Sequence, residues 1–223
     1  MATQKIAAVP SVRRLPSYLH IIRQAQRKGS YYISGTFIAK ELNLEPIQVR
    51  KDLSITRIIG KPKKGYPVVP LINAIERFLG WDTIREAVLV GAGNLGTALL
   101  GYQELQRHGF RVVAAFDVNP EKIGSRIHEV PVFAVELMKS TILTLGVKTA
   151  LLTVPSGSAQ GITEILIKAG IEGIWNFTNV KLKVPDTVVV QKEDISSGYA
   201  LFCVMMKTQH KAAQKPLSPV QEP

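Results

Sequence analysis

The feature that most restricts the fold of this chain is a glycine-rich turn between an apolar run and a helical segment. The turn reads Gly91-Ala92-Gly93-Asn94-Leu95-Gly96, the pattern G-x-G-x-x-G. Residues 87–90 before it predict a parallel strand buried on both faces, and Thr97 to His108 predict a helix. The first glycine permits the bend, the second lets an anion approach the backbone, and the third allows close helix–strand packing. The sequence therefore predicts a phosphate site at a helix N-terminus.

An acidic residue at the end of the next strand narrows the class of ligand. The strand predicted over Arg111 to Phe116 ends at Asp117, roughly 20 residues after Gly96, where a carboxylate meets the adenosine ribose in dinucleotide-binding folds. A carboxylate there repels a 2′-phosphate, so NAD is favoured over NADP. Two alternatives stay open: a related ligand such as coenzyme A or another ADP-ribosyl compound, and a domain of this fold that has lost its ligand.

Alternation of strands and helices continues to about residue 190. It predicts fold class α/β, with a doubly wound parallel sheet of the Rossmann type. The further strands are expected at 130–133, 149–154, 173–177 and 187–190, and the helices at 135–145 and 159–169. Ligands of such sheets lie beyond the carboxyl ends of the strands. That rule adds the segments Thr153-Val154-Pro155 and Asn176-Phe177 to the candidate site.

Basic residues are concentrated in the first third of the chain. Residues 1–80 contain 14 Lys and Arg but 4 Asp and Glu, whereas residues 81–223 contain 14 and 13. A basic excess on one domain favours a polyanionic partner, nucleic acid first, over the alternative of a solvated basic face. We expect a domain boundary near Gly80.

The same segment has the pattern of a helix-turn-helix. Helices are predicted from Pro16 to Lys28, from Thr36 to Leu42 with Ser34 or Thr36 as cap, and from Glu45 to Thr56. Inward positions are expected at Phe37, Ile38, Leu42, Ile47, Val49 and Leu53, and outward positions at Gln48, Arg50, Lys51 and Ser54. Arg and Gln suit guanine and adenine edges in the major groove. A small helical domain that only dimerises is the alternative.

A basic turn follows the third helix. Gly60 to Pro67, flanked by Ile58-Ile59 and Val68-Val69, predicts a β-hairpin, the wing of a winged helix. A further helix from Leu71 to Trp81 is expected to join the domains. The residues expected to contact DNA are Ser34, Thr36, Gln48, Arg50, Lys51, Ser54, Arg57, Lys61, Lys63, Lys64 and Tyr66.

The last predicted helix, about Asp194 to Lys207, is apolar nearly all round. Such a helix must be buried on several sides, here best against a second subunit. Residues from Thr208 onward are polar with three prolines and are expected to be disordered. Cys203 is the sole cysteine, which excludes an internal disulfide and a multi-cysteine metal site and fits a reducing cytoplasm. No signal peptide or membrane span is expected.

These motifs together resemble the Rex family of bacterial redox-sensing transcriptional repressors. The matching segments are Gln48 to Ser54, Gly60 to Tyr66, Val90 to Gly96 with Ala98-Leu99 and Tyr102, Ala115 to Asp117, Lys122 to Gly124, Thr153 to Pro155 and Gly170 to Phe177. The resemblance implies a homodimer with exchanged C-terminal helices, which binds a palindromic double-stranded operator when NADH is scarce and releases it when NADH binds.

The resemblance also implies residue roles and domain bounds. Tyr102 and Phe177 would lie near the nicotinamide. The expected NADH and NAD contacts are Gly91, Ala92, Gly93, Asn94, Leu95, Gly96, Tyr102, Asp117, Val118, Lys122, Ile123, Thr153, Val154, Pro155, Asn176 and Phe177. The expected regions are a winged-helix domain over 1–80, a Rossmann domain over 81–192, a dimerisation helix over 193–207 and a tail over 208–223.

An NAD-dependent dehydrogenase is the competing class. Such an enzyme needs a substrate pocket and a proton donor beside the nicotinamide. The residues after Gly80 suffice for the nucleotide domain and little more. None of the histidines, His20, His108, His128 and His210, has a catalytic partner by spacing. We therefore expect a regulator with no catalytic residues and no metal ligands.

Overall fold

The computed structural model describes residues 9–213, and their side chains as far as residue 209. Its elements in chain order are α1 (Val9–Arg27), β1 (Tyr32–Ile33), α2 (Gly35–Glu41), α3 (Pro46–Ser54), β2 (Tyr66–Pro67), α4 (Val68–Leu79), β3 (Arg85–Val90), α5 (Asn94–Leu100), α6 (Gln103–Arg107), β4 (Phe110–Asp117), β5 (Arg126–Ile127), β6 (Val130–Ala134), α7 (Met138–Leu145), β7 (Thr149–Leu152), α8 (Ser156–Lys168), β8 (Gly173–Asn176), β9 (Val189–Lys192) and α9 (Ile195–Ala213). The described part of the chain forms two compact units. The first comprises the described residues up to Arg85 with Gln103–Arg111, and the second comprises Glu86–Tyr102 with those from Val112 onward.

The first unit is a helical bundle closed by a small sheet. Its core is apolar and comes from all four N-terminal helices; the most buried members include Leu15, Leu19, Ile22, Ile38, Val49, Leu53, Leu71 and Ile75. β1 and β2 pair antiparallel, with Tyr32 opposite Pro67 and Ile33 opposite Tyr66. This sheet ties the basic turn to the segment before α2.

The second unit is built on a seven-stranded sheet in the order β5-β6-β4-β3-β7-β8-β9. β3 runs parallel to β7, β4 to β6, and β8 to both β7 and β9, whereas the short β5 is antiparallel to β6. Residues 87–90 of β3 are fully buried, as expected for a central strand covered on both faces. The predicted α/β class with a doubly wound sheet is confirmed.

The first helix begins earlier than its sequence suggests. It was predicted from Pro16 to Lys28, whereas α1 starts at Val9, contains Pro16 and ends at Arg27. Ser11, Leu15, Tyr18, Leu19 and Ile22 share its buried face. Packing of that face outweighs the one backbone hydrogen bond that the proline removes.

The strands predicted on the two sides of the basic turn are wrong, and Ile58 and Ile59 before it belong to no strand. Val68 and Val69 open α4, and Val68 is buried. Pro70 lies in the first turn of α4, where a residue without an N–H is tolerated. The basic turn is closed instead by reciprocal backbone hydrogen bonds between Lys61 and Gly65, at 2.7 and 2.9 Å.

The helix after the glycine turn is also shorter than predicted. α5 ends at Leu100, and α6 begins at Gln103 after a break at Gly101 and Tyr102. A Cβ atom at Gly101 would lie 2.7 Å from Nε2 of His128. The close approach of His128 leaves room only for glycine at position 101. Because glycine is a poor helix former, the helix breaks there.

The C-terminal helix extends further than expected. α9 continues through Ala213, so the prediction of disorder from Thr208 is wrong for residues 208–213. Lys, Gln and Ala are good helix formers, and the first proline of that polar stretch is Pro216. The rest of the predicted tail, 214–223, lies outside the described residues. Among the residues described, no helix is long and apolar enough to cross a bilayer.

Candidate nucleotide and nucleic-acid sites

A cavity of about 490 Å³ lies at the carboxyl ends of β3, β4 and β7 in the second unit. Its lining residues are Val90, Gly91, Gly93, Phe116, Asp117, Val118, Lys122, Val135, Thr153, Val154, Pro155, Ser158 and Ile162. This is the end of the sheet at which parallel folds bind their ligands. The size and the largely apolar walls with a few polar groups are typical of a small-molecule site.

The three glycines of the turn occupy different environments. Gly91 has φ +96°, and a Cβ atom there would lie 2.9 Å from the Thr153 carbonyl oxygen. A Cβ atom at Gly96 would lie 2.1 Å from the carbonyl oxygen of Gly91, whereas one at Gly93 would meet no atom within 4 Å. The first and third glycines therefore allow the turn to pack, and the second leaves an open approach to the backbone.

The turn is also held by two side chains from neighbouring segments. Oγ1 of Thr153 lies 2.7 Å from the Gly91 carbonyl oxygen and 3.0 Å from that of Val90. Nζ of Lys122 donates to the Ala92 carbonyl oxygen at 2.6 Å. Lys122 therefore adds a positive charge beside the N-terminus of α5, a favourable setting for a phosphate group.

Asp117 lies at the end of β4 and lines the same cavity. Its Oδ1 accepts a hydrogen bond from the backbone N–H of Asn119 at 2.9 Å, which fixes the orientation of the carboxylate. An oriented acid at this strand end is what recognition of ribose hydroxyls requires.

Eight of the sixteen predicted nucleotide contacts line the cavity: Gly91, Gly93, Asp117, Val118, Lys122, Thr153, Val154 and Pro155. The other eight, Ala92, Asn94, Leu95, Gly96, Tyr102, Ile123, Asn176 and Phe177, are not part of its lining. Sequence reasoning missed Val90, Phe116, Val135, Ser158 and Ile162. Val90 and Phe116 precede the residues chosen at two strand ends, so extending each strand-end segment by one residue would have found them.

Asn176 has a structural role in the loop after β8, and its contact with the nucleotide stays a prediction. It is buried, and its Oδ1 accepts hydrogen bonds from the N–H of Thr178 at 2.9 Å and its hydroxyl at 2.8 Å. Its Nδ2 donates to the Val180 carbonyl oxygen at 2.9 Å. These bonds shape the loop after β8, so the side chain is occupied within the protein. Phe177 packs on Trp175, with ring centroids 5.2 Å apart.

In the first unit, α3 presents one continuous exposed stripe. Ile47, Arg50, Lys51 and Ser54 are all exposed and are spaced i, i+3, i+4 and i+7, so they lie along one face of the helix. We call these four residues the outer stripe. Val49, Asp52 and Leu53 are buried on the opposite face. The expectations that Ile47 and Phe37 point inward are wrong, since these side chains are 72% and 46% exposed.

A buried carboxylate fixes α3 to α1. Asp52 is fully buried, and its oxygens accept from Arg14 Nε at 2.7 Å, Arg14 Nη2 at 3.0 Å, Tyr18 Oη at 2.6 Å and Gln48 Nε2 at 2.8 Å. Desolvation acts to raise the pKa of Asp52, but these hydrogen bonds outweigh it and hold the pKa well below its ordinary value. The sequence marked Gln48 as outward-facing, yet its amide is anchored to this carboxylate.

The basic turn carries exposed cations. Lys61, Lys63 and Lys64 are exposed, and the Nζ atoms of Lys61 and Lys64 lie 5.8 and 5.9 Å from the ring centroid of Tyr32. Arg57 and Lys63 have φ of +62° and +60°, a left-handed conformation that is uncommon for residues other than glycine. These cations are suited to contact phosphates.

Three other residues predicted to contact DNA, Ser34, Thr36 and Tyr66, lie at the start of α2 and beneath the basic turn. Ser34 caps α2, its Oγ accepting from the N–H of Phe37 at 3.0 Å, and Thr36 is exposed in the first turn. Tyr66 is 9% exposed, and a Cβ atom at Gly60 would lie 3.2 Å from its ring. The ring of Tyr66 thus packs beneath the turn, and its contact with DNA stays a prediction.

Comparisons with known proteins agree with this division of the chain. A family model described as a CoA binding domain matches residues 82–180, and one described as a putative DNA-binding protein N-terminus matches residues 6–54. The redox-sensing transcriptional repressor Rex of Treponema denticola is 58% identical over 93% of this chain and 99% of its own.

Two solved structures of one repressor also match along most of the chain. RSP in complex with β-NAD⁺ and operator DNA has a TM-score of 0.84 and 30% identity, covering 94% of this chain and 96% of its own. RSP in complex with β-NADH has a TM-score of 0.82 and 30% identity, covering 94% and 98%.

Proposed function

The chain belongs to the Rex family of redox-sensing transcriptional repressors, and from this premise we propose that it binds operator DNA when NADH is scarce and releases it when NADH binds. The resemblance noted in the sequence is confirmed by the 58% identity to a curated Rex protein along nearly the whole chain. One observation carries the proposal. A single chain holds both a cavity at an open glycine turn and an exposed basic helix stripe.

We assign the nucleotide to the cavity of the second unit. The open backbone at Gly93 and the charge of Lys122 would hold the pyrophosphate, and Asp117 would accept from the ribose hydroxyls. A related repressor, RSP, has been solved with β-NAD⁺ and with β-NADH, which supports these two cofactors over coenzyme A despite the description of the matching family model.

Selectivity for NADH would come from the groups around the nicotinamide ring, which is charged in NAD and neutral in NADH. We place Tyr102, Pro155 and Phe177 there. An apolar setting favours the neutral ring. A ligand moves a conformational equilibrium only by its difference in affinity for the two states, so this preference is what makes the protein a sensor.

Operator DNA would be bound by the outer stripe and the basic turn. Arg50 and Lys51 lie on the exposed face that can enter a major groove, and Ser54 extends it. Lys61, Lys63, Lys64 and Arg57 would contact phosphates, which give affinity and register but little sequence choice. RSP, solved with its operator, supports this partner.

Dimerisation is assigned to α9. Ile195, Tyr199, Leu201, Phe202, Val204 and Met205 are each more than half exposed in the single chain, an apolar surface that water does not favour. We propose that it is covered by exchange with a second copy of this chain, and that the dimer acts in the cytoplasm.

The chain is a regulator and not an enzyme: the curated relatives are named transcriptional repressors, so the alternative of a dehydrogenase is set aside.

Calorimetric titration of the purified chain with NADH, NAD and coenzyme A tests the ligand assignment. We expect NADH to bind most tightly, NAD more weakly, and coenzyme A not at all. Saturable binding of coenzyme A with no response to NADH would refute the assignment.

A further inference from the structure

One apolar residue stands at the head of an otherwise polar surface. Of the four residues of the outer stripe, Arg50, Lys51 and Ser54 are polar, and Ile47 is a large aliphatic side chain that is 72% exposed. Ile47 is the second residue of α3 and so lies in its N-terminal turn. In helix-turn-helix proteins the N-terminal residues of the recognition helix contact base edges.

Exposure of a single isoleucine does not by itself imply a function, since protein surfaces carry many apolar atoms. The position of Ile47 is what distinguishes it. It shares one helix face with the two cations expected to enter the major groove, and the core-facing positions of that helix are filled by Val49, Asp52 and Leu53. Ile47 therefore has no place in the core of its own unit.

Resting on the proposed function, we propose that Ile47 determines specificity by packing against the C5-methyl group of a thymine in each operator half-site. That methyl is the apolar group which the major groove offers among the four bases. Arg50 lies one helical turn further on, about 4.5 Å along the axis. The thymine is therefore expected within one or two base pairs of a guanine that Arg50 contacts.

The local structure holds Ile47 in a defined place. Pro46 occupies the first position of α3, where its fixed φ suits the helix. Gln48, the next residue, is bonded through its amide to Asp52 at 2.8 Å, and Asp52 is bonded to Arg14 of α1. A β-branched side chain in a helix has one strongly preferred rotamer, so little side-chain entropy is lost on contact.

The test uses the full chain and a duplex that the wild-type protein enriches from a randomised 30-bp library. Each thymine of that duplex is replaced singly by uracil, which lacks only the methyl group. We expect one thymine per half-site whose replacement lowers wild-type affinity about fourfold, the factor given by burial of one methyl group. Ile47→Ala should bind the thymine and uracil duplexes equally.

Ile59→Ala is the matched control, because Ile59 is 85% exposed and lies in the segment between α3 and β2. It should keep the fourfold preference for thymine. Urea unfolding of Ile47→Ala should match the wild type, since an exposed side chain is removed.

Two results would overturn the inference while leaving DNA binding intact: a selected duplex in which no uracil replacement matters, or a thymine preference that persists in Ile47→Ala. A wild-type chain that enriches no sequence overturns the proposed function and this inference with it.

Discussion

At the scale of single residues, two glycines of the glycine turn, Gly96 and Gly93, have different surroundings. A Cβ atom at Gly96 would lie 2.1 Å from a backbone oxygen, whereas one at Gly93 would meet nothing within 4 Å. Gly93 also has φ −70°, which alanine adopts readily. The two positions therefore make different demands on a substitution.

We predict that Gly96→Ala lowers the free energy of unfolding by about 2–3 kcal/mol through overpacking. Gly93→Ala should change it by less than about 1 kcal/mol, yet weaken NADH binding at least about tenfold, since the added methyl occupies the approach to the backbone. Urea unfolding and NADH titration measure the two effects. Equal loss of NADH affinity and stability in both variants would contradict the separate roles.

Arg57 is held in a conformation that favours glycine, with φ +62°. We predict that Arg57→Gly raises the free energy of unfolding by roughly 0.5–1 kcal/mol, because the left-handed strain is relieved. The same change should weaken DNA binding and reduce the slope of log K against log salt by about 1 per copy bound.

Arg57→Lys is the control for charge and should keep the wild-type salt slope. A stabilised glycine variant with that slope unchanged would show that Arg57 does not touch phosphate.

At this scale, the sequence predicted correctly that residues placed by the spacing of the glycine motif would lie at the cavity. Gly91, Gly93 and Asp117 line the cavity because the motif fixes their places along a strand and a turn. It failed at Ile47, which was expected to face the core and is exposed, and at Gln48, which was expected to face outward and is bonded to Asp52. The true inward set, 49, 52 and 53, contains an acid, which hydropathy alone assigns to the surface.

At the scale of elements, the hydrogen bonds that Asp52 accepts from Arg14 and Tyr18 fix α3 to α1. Asp52→Asn leaves the Arg14 guanidinium, whose side chain is 30% exposed, without its counter-charge. We predict a loss of about 3 kcal/mol in the free energy of unfolding, the low end for a broken buried pair because Arg14 reaches solvent.

The pH dependence follows from the directions of the pKa shifts. The pKa of Asp52 is depressed in the folded protein, so its stabilisation is complete above about pH 4 and is lost as the pH falls below that. Burial, with the hydrogen bond to Asp52, raises the pKa of Tyr18 to about 12. Its contribution is therefore lost as the pH rises from about 10 toward 12.

Unfolding free energies of the wild type and Asp52→Asn, measured from pH 2 to 11, check this. The difference between them should shrink on the acid side. A difference independent of pH below 4 would mean that folding does not lower the pKa of Asp52.

Element boundaries were predicted less well than element types. One helix was predicted to begin at Pro16 and another to run through Gly101. Packing of α1 instead extends the first helix back to Val9, and the second is broken at Gly101, where His128 approaches closely. The alternation that defines the second unit was predicted, because each buried strand is a continuous apolar run. The pairing of β2 with β1 could not be predicted, since it joins segments more than thirty residues apart.

At the scale of the whole molecule, the proposed dimer rests on the exposed apolar residues of α9. We predict that Phe202→Glu makes the protein monomeric at concentrations where the wild type is a dimer, because Phe202 is 57% exposed in the single chain and an acid there cannot be buried without a counter-charge. Gln209→Glu, on the same helix, should remain a dimer. Sedimentation equilibrium distinguishes these outcomes, and a wild-type monomer would refute the assignment.

Sensing by this protein requires that NADH and operator DNA exclude each other. The most direct measurement is the dissociation constant of the selected duplex, determined at one fixed salt concentration across a series of NADH concentrations. We predict that this constant rises with NADH, and that saturating duplex raises the dissociation constant of NADH by the same factor, as linkage requires. A duplex affinity that stays constant while NADH saturates the protein would contradict this prediction.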